Sequence, residues 1–169
     1  AANDQPALML ALRATVIAEG IDGKKSIPID EFFHGFYMTA LDASDVLVEI
    51  QIPKAKKGSG GAYHKVERKA GDYATAGVAI HIELDDHGTC QQIGIGLTNV
   101  SAVPMRLERG EEILRGQKIT EDLIKQVGKI ASEDAEPTSD LRGSEAYKRS
   151  IVNTITQRMI RLALERAQK

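Results

Sequence analysis

The feature that most constrains the fold is a pair of alternating segments separated by a short polar turn. Apolar side chains occupy every second position in residues 78–84, and isoleucine and leucine repeat the pattern in residues 93–98. The intervening residues 85–88, Asp-Asp-His-Gly, are typical of a hairpin turn. The opposite side of the second segment carries Gly94 and Gly96. Since glycine leaves a strand face bare, we expect another backbone or a helix to approach it closely.

Three helices are predicted after this hairpin. The first is expected to begin near Pro104, since proline suits the first helical position, and to run toward Gly116, a glycine that suits the residue just past a helix C-terminus. The second is expected after Thr120 and the third near Ser144, where apolar residues recur at helical spacing. Because the strands precede the helices, the order predicts an α+β architecture.

The first third of the chain is predicted to be rich in strands. A strand is expected in residues 14–18 and another in residues 46–52, whereas residues 7–12 fit either a helical turn or the start of a strand. In the second strand Leu47 lies on the polar side, as either an ordinary exposed leucine or a ligand contact. The basic, glycine-rich residues 54–61 are predicted to be a solvated loop between two subdomains.

Composition excludes several classes of function. With 22 basic and 24 acidic residues the formal charge is −2, which argues against a basic nucleic-acid-binding face. The single cysteine excludes an internal disulfide, and no apolar run approaches the roughly 20 residues that span a bilayer. We therefore expect a cytoplasmic protein. The chain opens without methionine, which suggests that part of a larger polypeptide precedes it.

The common enzyme signatures do not fit. The Gly94-Ile95-Gly96 segment lacks the third glycine of a dinucleotide fingerprint and lies inside a predicted strand. No phosphate-binding loop of the Gly-Lys-Ser/Thr type occurs, and the four histidines show no paired ligand spacing. Residue types and spacing alone thus predict an α+β domain without a defined chemistry.

The most informative stretch is residues 65–77, just before the first alternating strand. It places Lys65, Asp72 and Tyr73 within nine residues. Tyr73 could cover a flat ring by stacking, while Asp72 after Gly71 also fits plain turn chemistry and Lys65 fits an ordinary strand-edge lysine. On residue types alone, the structural interpretation is favoured.

This stretch resembles the signature of the FAD-binding (medium) subunit of the molybdenum hydroxylases, the family of xanthine dehydrogenase, aldehyde oxidases and aerobic carbon monoxide dehydrogenase. The family pattern is a lysine, an arginine, a basic or polar residue and then Gly-Asp-aromatic-Ala, here Lys65, Arg68, Lys69 and residues 71–74. Three further segments agree in order and spacing: residues 45–53, 96–106 and 140–149. The resemblance covers the whole chain but only the C-terminal part of the family's subunit, and is greatest to carbon monoxide dehydrogenase-type members.

The resemblance implies a fold and a cofactor site. Residues 1–57 would be the β-rich end of a PCMH-type FAD-binding domain. Residues 58–169 would be a carbon monoxide dehydrogenase flavoprotein-type C-terminal domain, an antiparallel sheet packed on a three-helix layer. By resemblance, Leu47 and Lys65 lie beside the flavin, Lys65 stabilises its reduced form, and Tyr73 shields one ring face. Asp72 would tune access and potential, and Asp4 would bind the ribityl or phosphate side.

The resemblance also implies partners. The chain would belong to an oxidoreductase subunit that holds FAD and passes electrons from iron–sulfur clusters to an external acceptor. The molybdopterin cofactor and 2Fe-2S clusters would lie in a large and a small partner subunit, in a dimer of heterotrimers completed by the N-terminal part of the flavoprotein subunit. The alternative is a non-enzymatic docking module that has lost FAD with its missing N-terminal half.

Overall fold

The computed structural model describes residues 3–169, so the first two residues of the predicted first domain lie outside the described residues. Four α-helices, nine strands and one short 3₁₀ helix are found in the described chain. They are α1 (Asp4–Ala11), β1 (Thr15–Gly20), β2 (Gly23–Pro28), the 3₁₀ helix (Ile29–Glu31), β3 (Phe33–Gly35), β4 (Met38–Thr39), β5 (Val46–Gln51), β6 (Ser59–Val66), β7 (Ala76–Leu84), β8 (Cys90–Thr98), β9 (Met105–Arg106), α2 (Glu108–Leu114), α3 (Glu121–Asp134) and α4 (Glu145–Ala167).

The strands form two antiparallel sheets and a small hairpin. The larger sheet has the order β6-β7-β8-β9, the smaller sheet has the order β2-β1-β5, and β3 pairs with β4. The predicted hairpin of β7 and β8 is confirmed, with Ile80 opposite Ile95. The predicted α+β class is confirmed as well. No helix among residues 3–169 has both the length and the apolar character needed to cross a bilayer.

The larger sheet is covered by helices on both faces. One face buries its aliphatic side chains against α3 and α4, and Gly60 lets the backbone of α4 approach β6. The opposite face carries α1. A Cβ atom on Gly94 would lie 1.9 Å from the carbonyl oxygen of Ala11, and one on Gly96 would lie 2.0 Å from that of Ala7. The predicted close approach to the glycine face is confirmed. The approaching element is α1, which contains most of residues 7–12, the segment that fitted either a helical turn or the start of a strand.

The predicted helix start at Pro104 is wrong. Residues 105 and 106 instead form β9, where Met105 pairs with Leu97 of β8. The amide of Leu107 then donates to the carbonyl of Ile95 at 2.9 Å, so the sheet rather than a helical turn satisfies these backbone groups. The other two helix starts are confirmed, because the hydroxyls of Thr120 and Ser144 accept from backbone amides as N-caps.

The strand β5 departs from simple alternation. All six of its residues are exposed. Its pairing with β1 contains a bulge: Leu47 lies opposite Ala18, and Glu49 lies opposite the preceding residue Ile17. The extra residue shifts the alternation, and Leu47 shares a face with Ile50 rather than with the polar residues. The predicted position of Leu47 on the polar face of the strand is therefore wrong.

The predicted loop at residues 54–61 is shorter than expected. It ends where β6 begins at Ser59, so Gly60 and Gly61 belong to the strand. The division of the chain at residues 57 and 58 stays a prediction. Helix α1, which precedes that division, packs on the sheet that follows it.

Candidate functional site

The centre of the candidate site is the ammonium group of Lys65. Lys65 lies near the end of β6, on the sheet face that carries α1, and only 16% of its side chain is exposed. Its Nζ donates to Asp4 Oδ2 at 2.9 Å and to the carbonyl oxygen of Asp72 at 2.9 Å. It also forms an ion pair with Glu67 Oε2 at 3.1 Å. The hydrogen bonds to Asp4 and Glu67 raise the pKa of Lys65, so the group stays charged.

Asp4 joins α1 to the same edge of the sheet. It lies in the first turn of the helix, where a carboxylate is favoured by the helix dipole. Its Oδ1 accepts a hydrogen bond of 2.8 Å from the hydroxyl of Tyr63, two residues before Lys65 in β6. Burial, and next the hydrogen bond to Asp4, raise the pKa of Tyr63, so the phenol remains a neutral donor. Tyr63 and Lys65 therefore hold the start of α1 from the same strand face.

Asp72 is the second anchor of the site. Its carboxylate accepts from Arg142 at 3.0 Å, from Arg68 at 3.1 Å and from the backbone amide of Tyr73 at 2.9 Å. The preceding Gly71 has φ +82°, a conformation that favours glycine, so the turn interpretation of this segment is confirmed. The hydrogen bond from Arg142, and next that from Arg68, lower the pKa of Asp72 to about 2.

The low pKa of Asp72 leads to a prediction about acid stability. An aspartate ordinarily titrates near 3.8, so its charged interactions stabilise the fold fully above that pH and are lost as the pH falls through about 2. We expect Asp72→Asn to lower the free energy of unfolding at pH 5, and the difference from the wild type to shrink steadily between about pH 4 and pH 2. Urea unfolding across this range measures the difference.

The control for this prediction is Asp122→Asn. Asp122 is fully exposed in the first turn of α3, and its contact with Lys125 spans 3.9 Å. Its substitution should change stability little at any pH. A difference between wild type and Asp72→Asn that stays constant from pH 5 to pH 2 would contradict the assignment.

The two apolar candidates lie in different places. Tyr73 follows Asp72 directly and is 60% exposed, so much of the residue is open to solvent and accessible to a flat ligand. Leu47 is 39% exposed, lies in the smaller sheet and belongs to none of the three hydrophobic clusters of residues 3–169. Hydrogen bonds unite Asp4, Lys65 and Asp72, with Tyr73 beside them, and do not extend to Leu47.

Three residues of this network were not predicted. Tyr63 and Glu67 each lie two residues from Lys65, and the alternation of a strand would have placed Tyr63 on the same face. Arg142 is 70 residues from Asp72 in sequence, and no local pattern connects the two.

The described arrangement suits a flat, polarisable ligand. It offers a fixed cation at Lys65, an exposed aromatic ring at Tyr73, and carboxylates that hold the cation in place. Such a set fits an isoalloxazine ring, whose reduced form carries negative charge that an ammonium stabilises.

Comparison with known families matches both parts of the chain. Residues 61–163 match the CO dehydrogenase flavoprotein C-terminal domain, and residues 1–55 match the FAD binding domain in molybdopterin dehydrogenase. The carbon monoxide dehydrogenase medium chain of Hydrogenophaga pseudoflava is 38% identical over 164 residues, 97% of this chain and 57% of that protein. The carbon monoxide dehydrogenase medium chain of Afipia carboxidovorans is 33% identical, and the match covers 98% of this chain and 57% of that protein.

Solved structures agree with these sequence matches. Carbon monoxide dehydrogenase from Hydrogenophaga pseudoflava superimposes with a TM-score of 0.94 at 39% identity, covering 98% of this chain and 57% of that chain. Quinoline 2-oxidoreductase from Pseudomonas putida 86 superimposes with a TM-score of 0.88 at 31% identity. The match covers 100% of this chain and 58% of that chain. The chain thus spans little more than half the length of the relatives that it matches.

Proposed function

The chain belongs to the family of the CO dehydrogenase flavoprotein C-terminal domain, and we propose that it forms part of an FAD-binding medium subunit of a molybdenum hydroxylase. The observation that carries the proposal is the network of Asp4, Lys65 and Asp72 beside the exposed ring of Tyr73. The match of residues 1–55 to an FAD binding domain supports the same cofactor.

The residues of this chain would hold the cofactor in separate ways. Lys65 places a positive charge at the ring, and Asp4 and Asp72 fix the position of that charge. Tyr73 covers one ring face, and Leu47 provides an apolar contact from the smaller sheet. Asp4 remains partly exposed and has lone pairs left to accept from the ribityl side. FAD, when bound, supplies the electron-carrier chemistry; the protein positions it and adjusts its potential.

The same family membership supports a proposal for the complex. We propose that the chain serves an oxidoreductase that takes electrons from iron–sulfur clusters in a small subunit and passes them through FAD to an external acceptor. The molybdopterin cofactor would lie in a large subunit, where the substrate is oxidised. The proposed assembly is a cytoplasmic dimer of heterotrimers that includes the N-terminal part of the flavoprotein subunit. Matches to carbon monoxide, glyceraldehyde and nicotine enzymes support the class rather than one substrate.

The test is the flavin content of the intact complex. The protein is isolated with the chains that accompany it, denatured, and the released flavin is identified and quantified by absorbance and chromatography. We expect FAD in an amount equimolar with this chain. A complex that contains the chain in full amount but no flavin would contradict the proposal and would favour the docking module instead.

A further inference from the structure

We infer that Arg142, in the connection between α3 and α4, is a positioning residue that sets where the ammonium of Lys65 lies. The inference rests on the proposed function, because its consequence for the cofactor exists only if Lys65 faces a flavin. Arg142 is remote from Lys65 in sequence and acts on it through one residue, Asp72.

Asp72 is held both at its side chain and at its backbone carbonyl. Its carboxylate accepts from Arg142 at 3.0 Å, while its backbone carbonyl accepts from Lys65 Nζ at 2.9 Å. The carboxylate oxygen that accepts from Arg142 also accepts from the backbone amide of Tyr73 at 2.9 Å. Since this amide shares a peptide plane with the carbonyl of Asp72, holding the carboxylate also restrains the carbonyl. Arg142 thereby determines one of the acceptors that position Lys65.

Of the two arginines that bind the carboxylate of Asp72, Arg142 is the stronger partner. The side chain of Arg142 is 26% exposed, whereas that of Arg68 is 56% exposed. A hydrogen-bonded ion pair that is shielded from water is weakened less by screening than an exposed one. The side chain of Asp72 itself is only 9% exposed, so loss of Arg142 would leave a nearly buried carboxylate with the exposed Arg68 as its remaining cationic partner.

Arg142 is itself fixed to the layer formed by α3 and α4. Its backbone amide donates to Asp140 Oδ1 at 2.8 Å, and Asp140 Oδ2 accepts from Lys148 Nζ at 2.8 Å. Lys148 is 1% exposed in α4 and also donates to the carbonyl of Thr138 at 3.0 Å. A series of hydrogen bonds therefore connects the start of α4 to the candidate cofactor site. It runs from Lys148 through Asp140, Arg142 and Asp72 to Lys65.

Without the guanidinium group, the turn at Asp72 loses its attachment to this layer. Lys65 would keep its ion pairs with Asp4 and Glu67, and without the fixed carbonyl of Asp72 the carboxylate of Asp4 would draw it toward α1. The charge facing a bound ring would shift without being removed. This consequence separates Arg142 from a residue that only stabilises the fold.

The test compares Arg142→Gln, Arg142→Lys and the control Arg149→Gln in the intact complex. Arg149 lies in the same region, is 30% exposed and donates to Glu145 and to two backbone carbonyls, but it does not contact Asp72. The measurements are the dissociation constant and the midpoint potential of FAD. We expect Arg142→Gln to weaken FAD binding about tenfold and to shift the potential, since a hydrogen bond to a charged group is lost. Arg142→Lys should restore part of both, and Arg149→Gln should change neither appreciably.

A second measurement keeps the inference separate from the proposed function. The Nζ proton signals of Lys65 are followed by NMR in wild type and in Arg142→Gln. A changed Lys65 signal in Arg142→Gln but not in Arg149→Gln supports the inference, even if the wild-type complex proves to hold no FAD and the proposed function fails. An unchanged Lys65 signal, or FAD affinity and potential identical to wild type, would overturn it.

Discussion

Replacing Gly96 by alanine is expected to lower the free energy of unfolding by about 3 kcal/mol, a large effect for the addition of one methyl group. The new Cβ would lie 2.0 Å from the carbonyl oxygen of Ala7 and 3.1 Å from its Cα. Both atoms belong to the backbone, so no side chain can rotate away. Helix α1 must be displaced from the sheet, and with it Asp4 moves away from Tyr63 and Lys65.

Urea unfolding measures this effect, and Gly61→Ala is the matched control. Gly61 lies in the same sheet, and a Cβ there would meet only the carbonyl oxygen of Ile80 at 3.5 Å, an ordinary contact. The control should therefore change stability by less than about 1 kcal/mol. Equal changes in the two variants would show that α1 does not depend on the bare face of β8. Loss of the hydrogen bond to Asp4 should also move the pKa of Tyr63 toward its ordinary value in Gly96→Ala.

Replacing Lys65 by alanine is expected to weaken FAD binding about 30-fold, equivalent to about 2 kcal/mol, and to lower the midpoint potential. The positive charge that favours the reduced cofactor is removed. Asp4 and Glu67 lose the cation that pairs with them, so their carboxylates make the site more negative. Both changes oppose the addition of electrons to a bound ring, and the potential therefore falls.

Lys69→Ala is the control for this variant. It removes the same charge from the loop that follows β6, but the side chain of Lys69 is exposed and makes no contact with Asp4 or with the carboxylate of Asp72 among the described residues. FAD titration and redox titration of the two variants in the intact complex are the measurements. If Lys65→Ala and Lys69→Ala have the same FAD affinity and the same midpoint potential, Lys65 is not part of the cofactor site.

The local part of the candidate site was predictable from the sequence. Lys65, Asp72 and Tyr73 lie within nine residues, and Gly71 indicates the turn that brings Asp72 back toward the strand. The resemblance added Asp4, which contacts Lys65 in the structure. Leu47 was also predicted to contact the cofactor. The prediction drew support from its place on the polar face of β5, and the bulge in that strand places it on the other face.

The sequence alone determined which side chains of β8 share a face and where two of the helices begin. Alternation predicted the buried and the glycine faces of β8, and Thr120 and Ser144 marked helix starts, because these features depend on residues only two to four positions apart. Only the tertiary structure decided that residues 105 and 106 join the sheet, that α1 covers Gly96, and that Arg142 holds Asp72. Those outcomes depend on which distant backbone and charged groups satisfy one another once the chain is folded, and no short-range pattern records that choice.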